Sequence, residues 1–264
     1  MRSTVLEYDV SKVVELARQG KRLDGRGLEE MREFTVEINK YENAEGSARV
    51  RLGETELVAG IKMEVGKPYS DRPDEGAISV GAELLALAHS EYESGPPSFD
   101  EIEVARVVDR GIREGKAIDF KKFCIKANEA VWVTYLDFYA INGDGNLFDA
   151  GSIGALVSLM HAKFPKLDAN NKVILHEHTK GIELKRLPLL TTFVKIAGKI
   201  LVDPTYLEEK ASEARFSVAT TEDGLMSAMQ KGMGGSFTLE EVNYMIDVGF
   251  KTAKETRKKI ERLK

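Results

Sequence analysis

Apolar residues recur at the spacing of an α-helix in four stretches of the chain. Asp100 precedes one stretch and Thr238 another, and both residue types accept hydrogen bonds from the free N–H groups at a helix start. One stretch is rich in small residues, which allows a helix to approach a sheet closely. The predicted helices are 11–19, 100–115, a small-residue helix that starts at Asp149 or Ser152 and runs through Lys163, and 239–263.

Alternating apolar and polar residues predict strands between these helices. Gly53 and Glu54 separate two such runs by two residues, which is typical of a tight hairpin. The predicted strands are 33–41, 47–52, 55–65, the start of 77–87, 123–127, 130–141, 170–175, 193–196, 199–202, 214–220 and 226–230.

Strands and helices come in blocks, not in strict alternation. This order favours an α+β fold, or α/β with mixed sheets, built from two packed βαβ-type halves and a C-terminal helix. The polar, proline-bearing segment 179–192 is the predicted junction. We therefore expect an N-terminal helix and connection (1–30), a first domain (31–185) and a C-terminal domain (186–264).

Composition narrows the function classes. The 264 residues are 42% hydrophobic and 31% charged, with a net charge of −5, so any nucleic-acid binding must rest on a local basic patch. The single cysteine, Cys124, excludes an internal disulfide and fits a reducing compartment. No signal peptide or long apolar run is apparent, so we expect a cytoplasmic protein without a membrane partner.

Carboxylates cluster in the stretch 201–215. Asp203, Glu208 and Glu209 suggest a catalytic turn, but Lys210 and Arg215 follow at its end. A cation there would repel a metal ion, and Arg does not give up its proton. The residues alone leave two interpretations open: a degenerate catalytic turn or a charged hairpin loop.

A basic stripe is predicted on the helix 100–115. Arg106, Arg110 and Arg113 are spaced i, i+4 and i+7, so they share one helix face, while Asp109 is expected to lie off it. Guanidinium groups bind phosphate in a bidentate manner. The stripe is either an RNA-backbone contact or an ordinary solvated face with internal salt bridges.

Metal sites are weakly supported. His176 and His178 lack a third ligand at a telling spacing, which favours a polar loop. Asp144, Asn146 and Asp149 resemble a calcium loop only in part, because the required bidentate Glu is missing. We expect no metal and no other cofactor.

Two further motifs have no assigned role at this level. The glycine-rich stretch 231–235 could cradle a phosphate, but without the strand context of a P-loop a plain turn is favoured. Arg22, Asp24 and Arg26 form either an ion-pair lock or an intersubunit contact.

Five motifs in order carry a resemblance to a known family. They are RLDGR (22–26), GETELVAG (53–60), INGDGNLFDAGS (141–152), LVDPTYLEE (201–209) and EDGLMSAMQKGMGG (222–235). Together they resemble the RNase PH family of phosphorolytic exoribonucleases, and more closely its non-catalytic members in the core ring of the archaeal exosome. The resemblance spans the chain from about Arg22 to the last helix and implies an RNase PH-like fold for both domains.

The resemblance also implies that the active site is degenerate. Active members place a phosphate-binding Arg just after their D-G turn, where this chain has Asn146 and Leu147. Their catalytic aspartates match Lys210 and Arg215, if one residue is missing between them. The corresponding helix in the ring borders the RNA path, which favours RNA binding by Arg106, Arg110 and Arg113.

The implied function is that of a non-catalytic ring subunit. It would scaffold a catalytic RNase PH-like paralogue in a ring of three heterodimers, help bind RNA, and carry RNA-binding cap proteins. Two alternatives are an autonomous phosphate-dependent 3′-5′ exoribonuclease using Asp203, Glu208 and Glu209, and a purely structural ring spacer.

Overall fold

The computed structural model describes residues 2–263, which form an α+β structure with two main sheets and a small two-stranded one. Residues Phe120–Phe123 form a 3₁₀ turn. The helices are α1 (Arg2–Arg18), α2 (Phe99–Glu114), α3 (Leu147–His161), α4 (Tyr206–Ala211) and α5 (Leu239–Glu261). The strands are β1 (Phe34–Ile38), β2 (Gly46–Leu52), β3 (Thr55–Gly66), β4 (Ala77–Leu84), β5 (Cys124–Lys126), β6 (Ala130–Asn142), β7 (Lys163–Leu167), β8 (Val173–Gly181), β9 (Leu189–Ile196), β10 (Lys199–Val202), β11 (Ala214–Thr220) and β12 (Met226–Gly232).

The first sheet has six strands in the order β1-β2-β3-β6-β4, with β5 also paired to β6. Leu52 lies opposite Thr55, so the predicted two-residue hairpin is confirmed, and Gly53 supplies its positive φ of 56°. β4 and β6 are parallel and are connected through α2, whereas the other pairs are antiparallel. This connection is the βαβ unit of the first half.

The second sheet is antiparallel, in the order β10-β9-β11-β12. β10 and β11 flank β9 and are connected through α4, which makes a split βαβ unit. α5 packs Met245 and Val248 against Phe193 and Val218 of this sheet. The predicted two βαβ-type halves and C-terminal helix are therefore confirmed.

Helix α3 lies between the two sheets. Nearly all of it is buried, and a Cβ added at Gly154 would come within 3.0 Å of the Ala59 side chain on β3. On its other side, Ser152 accepts a hydrogen bond from the Leu190 N–H of β9 at 3.0 Å. The predicted close approach of a small-residue helix to a sheet is confirmed, and α3 joins the two halves through one core.

Several predicted boundaries were wrong. α1 begins at Arg2, nine residues before the predicted start, and packs Val13 and Ala17 against β9 and β10 of the second sheet. Ser98, not Asp100, caps α2 in a capping box with Glu101. The second error arose because both Ser98 and Asp100 are residue types that can cap a helix.

Two elements were missed. The first missed element is β7. α3 ends at His161, two residues before the predicted end, and β7 contains Pro165, which cannot continue a helix. The acidic turn after β10 contains the short helix α4, in which the Thr205 N–H donates to Glu208 at 2.9 Å. Asn146 is the N-cap of α3, three residues before Asp149 and six before Ser152, the two predicted starts.

Within the described residues, no helix is both long and apolar enough to cross a bilayer. Cys124 is a free thiol on β5 and is half-buried. The segment between β8 and β9, residues 182–188, lies inside the predicted junction.

Candidate functional site

Three arginines from the connection between α1 and β1 reach the turn after β10. Arg22 donates from Nε to Glu208 Oε1 at 2.8 Å, and Arg26 donates from Nη1 to Asp203 Oδ2 at 3.0 Å. Arg32 donates to both Asp203 oxygens, at 2.8 and 2.9 Å. We call these five residues the arginine clamp. Arg26 also donates to Asp24 at 2.7 Å, so all three residues of the predicted ion-pair lock are bonded within the chain, and their intersubunit contact stays a prediction.

The arginine clamp includes Asp203 and Glu208, two of the three carboxylates of the acidic turn. Burial alone would raise the pKa of Asp203, but its bonds to Arg32 and Asn146 outweigh burial and hold this pKa below the ordinary value. Asp203 and Glu208 are almost fully shielded from solvent. An aspartate locked to a permanent cation cannot act as a proton carrier near neutral pH.

Glu209 lies in different surroundings. Its Oε1 accepts a hydrogen bond from the Asn146 N–H at 2.8 Å, and it has no ion pair among the described residues. Burial raises the pKa of Glu209 to about 7. The acidic turn therefore contains two structural carboxylates and one available carboxyl group.

A cleft of about 340 Å³ lies between the two halves of the molecule. Its wall contains Leu147 from the start of α3, Glu209 and Lys210 from α4, and Arg215 from β11. The structure thus brings together the three positions at which the resemblance implies a degenerate site. They come from three separate elements, so their proximity is a property of the fold.

Both cations of the cleft are paired with carboxylates of the first half. Lys210 Nζ lies 2.6 Å from a carboxylate oxygen of Glu91, a pairing that lowers the Glu91 pKa. Arg215 forms an ion pair with Glu103 of α2, and its guanidinium lies 4.2 Å from the ring centroid of Phe148. Sequence reasoning missed Glu91 and Glu103, which are more than 100 residues away along the chain.

These pairings limit the chemistry of the cleft. Its charged lining has four carboxyl groups and two cations, and both cations are already neutralised by Glu91 and Glu103. The lining gives a phosphate dianion no free guanidinium, because Leu147 stands where the resemblance places one. Arg215 cannot supply or accept a proton at neutral pH.

The basic stripe of α2 divides into two parts. Arg106 and Arg110 are exposed and line a groove of about 300 Å³ between α2 and β12, which also contains Met229 and Gln230. Among residues 2–263, neither arginine has an ion-pair partner. Their guanidinium groups are therefore available to a ligand in the groove.

Arg113 is held within the protein. It donates to Asp109 at 2.8 Å and to the Ile78 carbonyl at 3.1 Å. The expectation that Asp109 lies apart from the stripe was wrong, because the i, i+4 spacing brings it to Arg113. The structure supports two free arginines on this face and not three.

The weaker candidates have structural explanations. His176 and His178 are exposed on β8, and no cluster of three or more metal-binding side chains occurs in the described part of the chain. Asn146 and Asp149 are buried; Asn146 donates to Asp149 at 2.8 Å, and Thr192 donates to it at 2.8 Å, as parts of a core network.

The glycine-rich stretch 231–235 follows the same pattern. Lys231 Nζ donates a hydrogen bond to the Met233 carbonyl, two residues further along the chain. A Cβ added at Gly235 would lie 2.5 Å from the Glu213 carbonyl oxygen, so this stretch packs against the turn before β11. Lys231 and Gly232 end β12, and residues 233–234 form the bend that follows it, so only the second part of the stretch is the predicted turn.

Comparisons with known proteins give relatives for both halves of the chain. Residues 30–165 match the sequence model of the 3′ exoribonuclease family, domain 1, and residues 186–252 match its domain 2. The exosome complex component Rrp42 of Thermococcus kodakarensis is 43% identical over 252 residues, which cover 94% of this chain and 92% of that protein. Rrp42 of Methanocella arvoryzae is 41% identical over 257 residues, with 97% of each chain covered.

Solved structures show the same relationship. A chain of the Archaeoglobus fulgidus exosome with RNA bound to the active site superposes with a TM-score of 0.91 at 38% identity, over 97% of this chain and 99% of that chain. A chain of an archaeal exosome core gives a TM-score of 0.87 at 35% identity, over 98% and 99% of the two chains.

Proposed function

The chain belongs to the 3′ exoribonuclease family, known as the RNase PH family, and from this premise we propose that it is a non-catalytic subunit of an exosome. It takes part in 3′-to-5′ RNA degradation by scaffolding the active site of a catalytic RNase PH-like paralogue. Its second role is to help bind the RNA.

The observation that carries the non-catalytic role is the pairing of Arg215 with Glu103 inside the cleft. The position at which the resemblance expects a catalytic acid holds a permanent cation, and this cation is engaged with the other half of the molecule. Leu147 provides no charge for phosphate. Phosphorolysis needs a bound phosphate and an acid at the reacting position; the cleft offers the phosphate no unpaired cation, and Arg stands at the position of the expected acid.

The partner assignment rests on the relatives. Two relatives that are 43% and 41% identical over 94% and 97% of this chain are named as exosome components, and one related structure contains RNA at its active site. We propose a ring of three heterodimers with the catalytic paralogue, with RNA-binding cap proteins on the ring. Exposed apolar side chains at Leu87, Phe99 and Leu239, 72%, 92% and 71% exposed, are surface that partners could cover.

Domain limits and location remain part of the proposal. We place the boundary between the two RNase PH-like domains at residues 185 and 186, between β8 and β9. A cytoplasmic location is supported by the free thiol of Cys124.

An RNA decay assay tests the non-catalytic role. The purified chain, given single-stranded RNA and inorganic phosphate, should release no nucleoside diphosphates, whereas its mixture with the paralogue should. A mixture containing a paralogue without its catalytic acids is the control and should be inactive. Phosphate-dependent release by the chain alone would establish the autonomous exoribonuclease, with Glu209 as its one available acid.

RNA binding by α2 is tested on the assembled ring. Arg106→Ala combined with Arg110→Ala should weaken RNA binding, by on the order of 1–2 kcal/mol for each phosphate contact, and should reduce the salt dependence. Arg113→Ala is the matched control on the same helix and should have a smaller effect, because its guanidinium is bonded to Asp109. Unchanged affinity and salt dependence in the double variant would favour the structural spacer.

A further inference from the structure

Glu103 shares a face of α2 with the two free arginines. It precedes Arg106 by three residues and Arg110 by seven, the spacing of neighbours along one helix stripe. A carboxylate three residues from an arginine is a common ion-pair partner on a helix surface. From the sequence of α2 alone, Glu103 would be expected to neutralise Arg106.

In the structure, Glu103 is paired elsewhere. Its carboxylate is bonded to Arg215 of β11, which enters from the other half of the molecule. The guanidinium of Arg215 stacks over the Phe148 ring, and the Arg215 side chain is only 13% exposed. This pair is less accessible to water than a surface i, i+3 pair, and its geometry is held by the packing of three elements.

Glu103 lies between the cleft and the groove. Glu103 lines the cleft that contains Arg215, and it also lines the groove that contains Arg106 and Arg110. Its charge is neutralised by Arg215 on the cleft side, so Arg106 and Arg110 on the groove side have no carboxylate bonded to them among the described residues. The groove is therefore more positive than the sequence of α2 implies.

We infer that Arg215 is a positioning residue for RNA binding, because it holds Glu103 away from Arg106 and so leaves Arg106 and Arg110 free for backbone phosphates. Arg215 itself does not touch the RNA. This inference rests on the proposed function of α2 as an RNA-binding helix. Arg215, which lines the cleft, would thereby affect RNA binding in the neighbouring groove of Arg106 and Arg110.

The test is a double-mutant cycle on the assembled ring, with RNA affinity measured over a salt series. Arg215→Met should weaken RNA binding roughly three- to tenfold at low salt, because the released Glu103 then competes for Arg106. Adding Glu103→Gln to Arg215→Met should restore the affinity to within about twofold of the parent, since no carboxylate remains to compete. Glu103→Gln alone should bind at least as tightly as the parent.

Arg215→Gln, a polar substitute of similar reach, serves as a second variant and should show the same loss and the same rescue. Gel filtration of each ring separates loss of binding from loss of assembly. Equal weakness in Arg215→Met with and without Glu103→Gln would overturn the inference, because a direct RNA contact or a purely structural role predicts no rescue. Unchanged affinity in Arg215→Met would overturn it as well.

The same series distinguishes failure of the inference from failure of the proposed function. If Arg106→Ala leaves RNA affinity unchanged, α2 does not bind RNA and the proposed function is refuted at this point. If Arg106→Ala weakens binding while the Arg215 variants do not, only the role of Arg215 is refuted.

Discussion

Replacing Arg32 by Met tests the arginine clamp. Arg32 is 8% exposed and donates to both oxygens of Asp203, which is itself completely buried. Methionine has a similar length but no charge, so the substitution removes the ion pair while filling much of the same space. Asp203 then keeps its bonds to Arg26, at 3.0 Å, and Asn146, at 2.6 Å.

The expected loss of stability depends on the bonds that Asp203 keeps. Removing one partner of a buried ion pair costs roughly 3–5 kcal/mol, because the other charge is left buried without compensation. Since Arg26 and Asn146 still stabilise the carboxylate, we expect a loss near the lower limit, about 3 kcal/mol in the free energy of unfolding. Asp203→Asn in the same variant should recover part of it, because the buried charge is then gone.

Urea unfolding followed by tryptophan fluorescence measures this loss. Trp132 is the only tryptophan of the chain and is buried in the first sheet, so it reports on global unfolding. Arg51→Met is the matched control: Arg51 is paired with Glu56 at 2.9 Å, but its side chain is 57% exposed. The control should lose no more than about 1 kcal/mol. Equal losses in the two variants would refute the argument that the clamp is a buried, stabilising ion-pair network.

The pH dependence provides a second check. The folded-state pKa of Asp203 is lowered, so its contribution to stability is present above its ordinary pKa and is lost as the pH falls through the folded value. Without Arg32, burial raises this pKa again. The difference between parent and Arg32→Met should therefore be largest at neutral pH and should narrow below about pH 4.

Three further predictions concern packing, titration and capping. Gly154→Val places atoms within reach of Ala59 and should destabilise the protein by about 2–3 kcal/mol, seen as a lower melting temperature; an unchanged one would contradict the close packing of α3. Burial raises the folded pKa of Glu209 to about 7, so the free energy of unfolding should fall as the pH rises from 4.5 to about 7, with a slope of up to one proton. Glu209→Gln should reduce this slope, and an identical slope in urea unfolding would contradict the prediction. Thr238→Ala removes the cap that accepts from the Glu241 N–H and should cost about 1 kcal/mol in the same assay, with no loss arguing against this cap.

The sequence predicted those elements whose signals are local. α5 is long, amphipathic and capped by Thr238, and the hairpin at Gly53 needs only two turn residues. α4 was missed because six charged and apolar residues also fit a loop. Its capping residue Glu208 is bonded to Arg22, 186 positions away, and such a partner cannot be inferred from local spacing.

In the candidate site, too, contacts between residues close in sequence were predictable and long-range contacts were not. Spacing correctly placed Arg106 and Arg110 on one face, and the i, i+4 rule applied to Asp109 would have identified the bond to Arg113. The partner of Arg215 could not be predicted, because Glu103 and Arg215 meet only when α2 packs beside β11. Long-range ion pairs of this kind depend on how the two halves dock.

The charge balance of the cleft gives a physical reason for a cation at position 215. Glu91, Asp100, Glu103 and Glu209 already line this space, and burial raises the pKa of Glu209 to about 7. An aspartate at position 215 would add a fifth carboxyl group, adjacent to Glu103, and like charges in a confined site disfavour ionisation and packing. Arginine instead bonds to Glu103 and joins the second half to α2. Arginine at position 215 therefore makes a contact between the two halves at a point where a carboxylate would add repulsion.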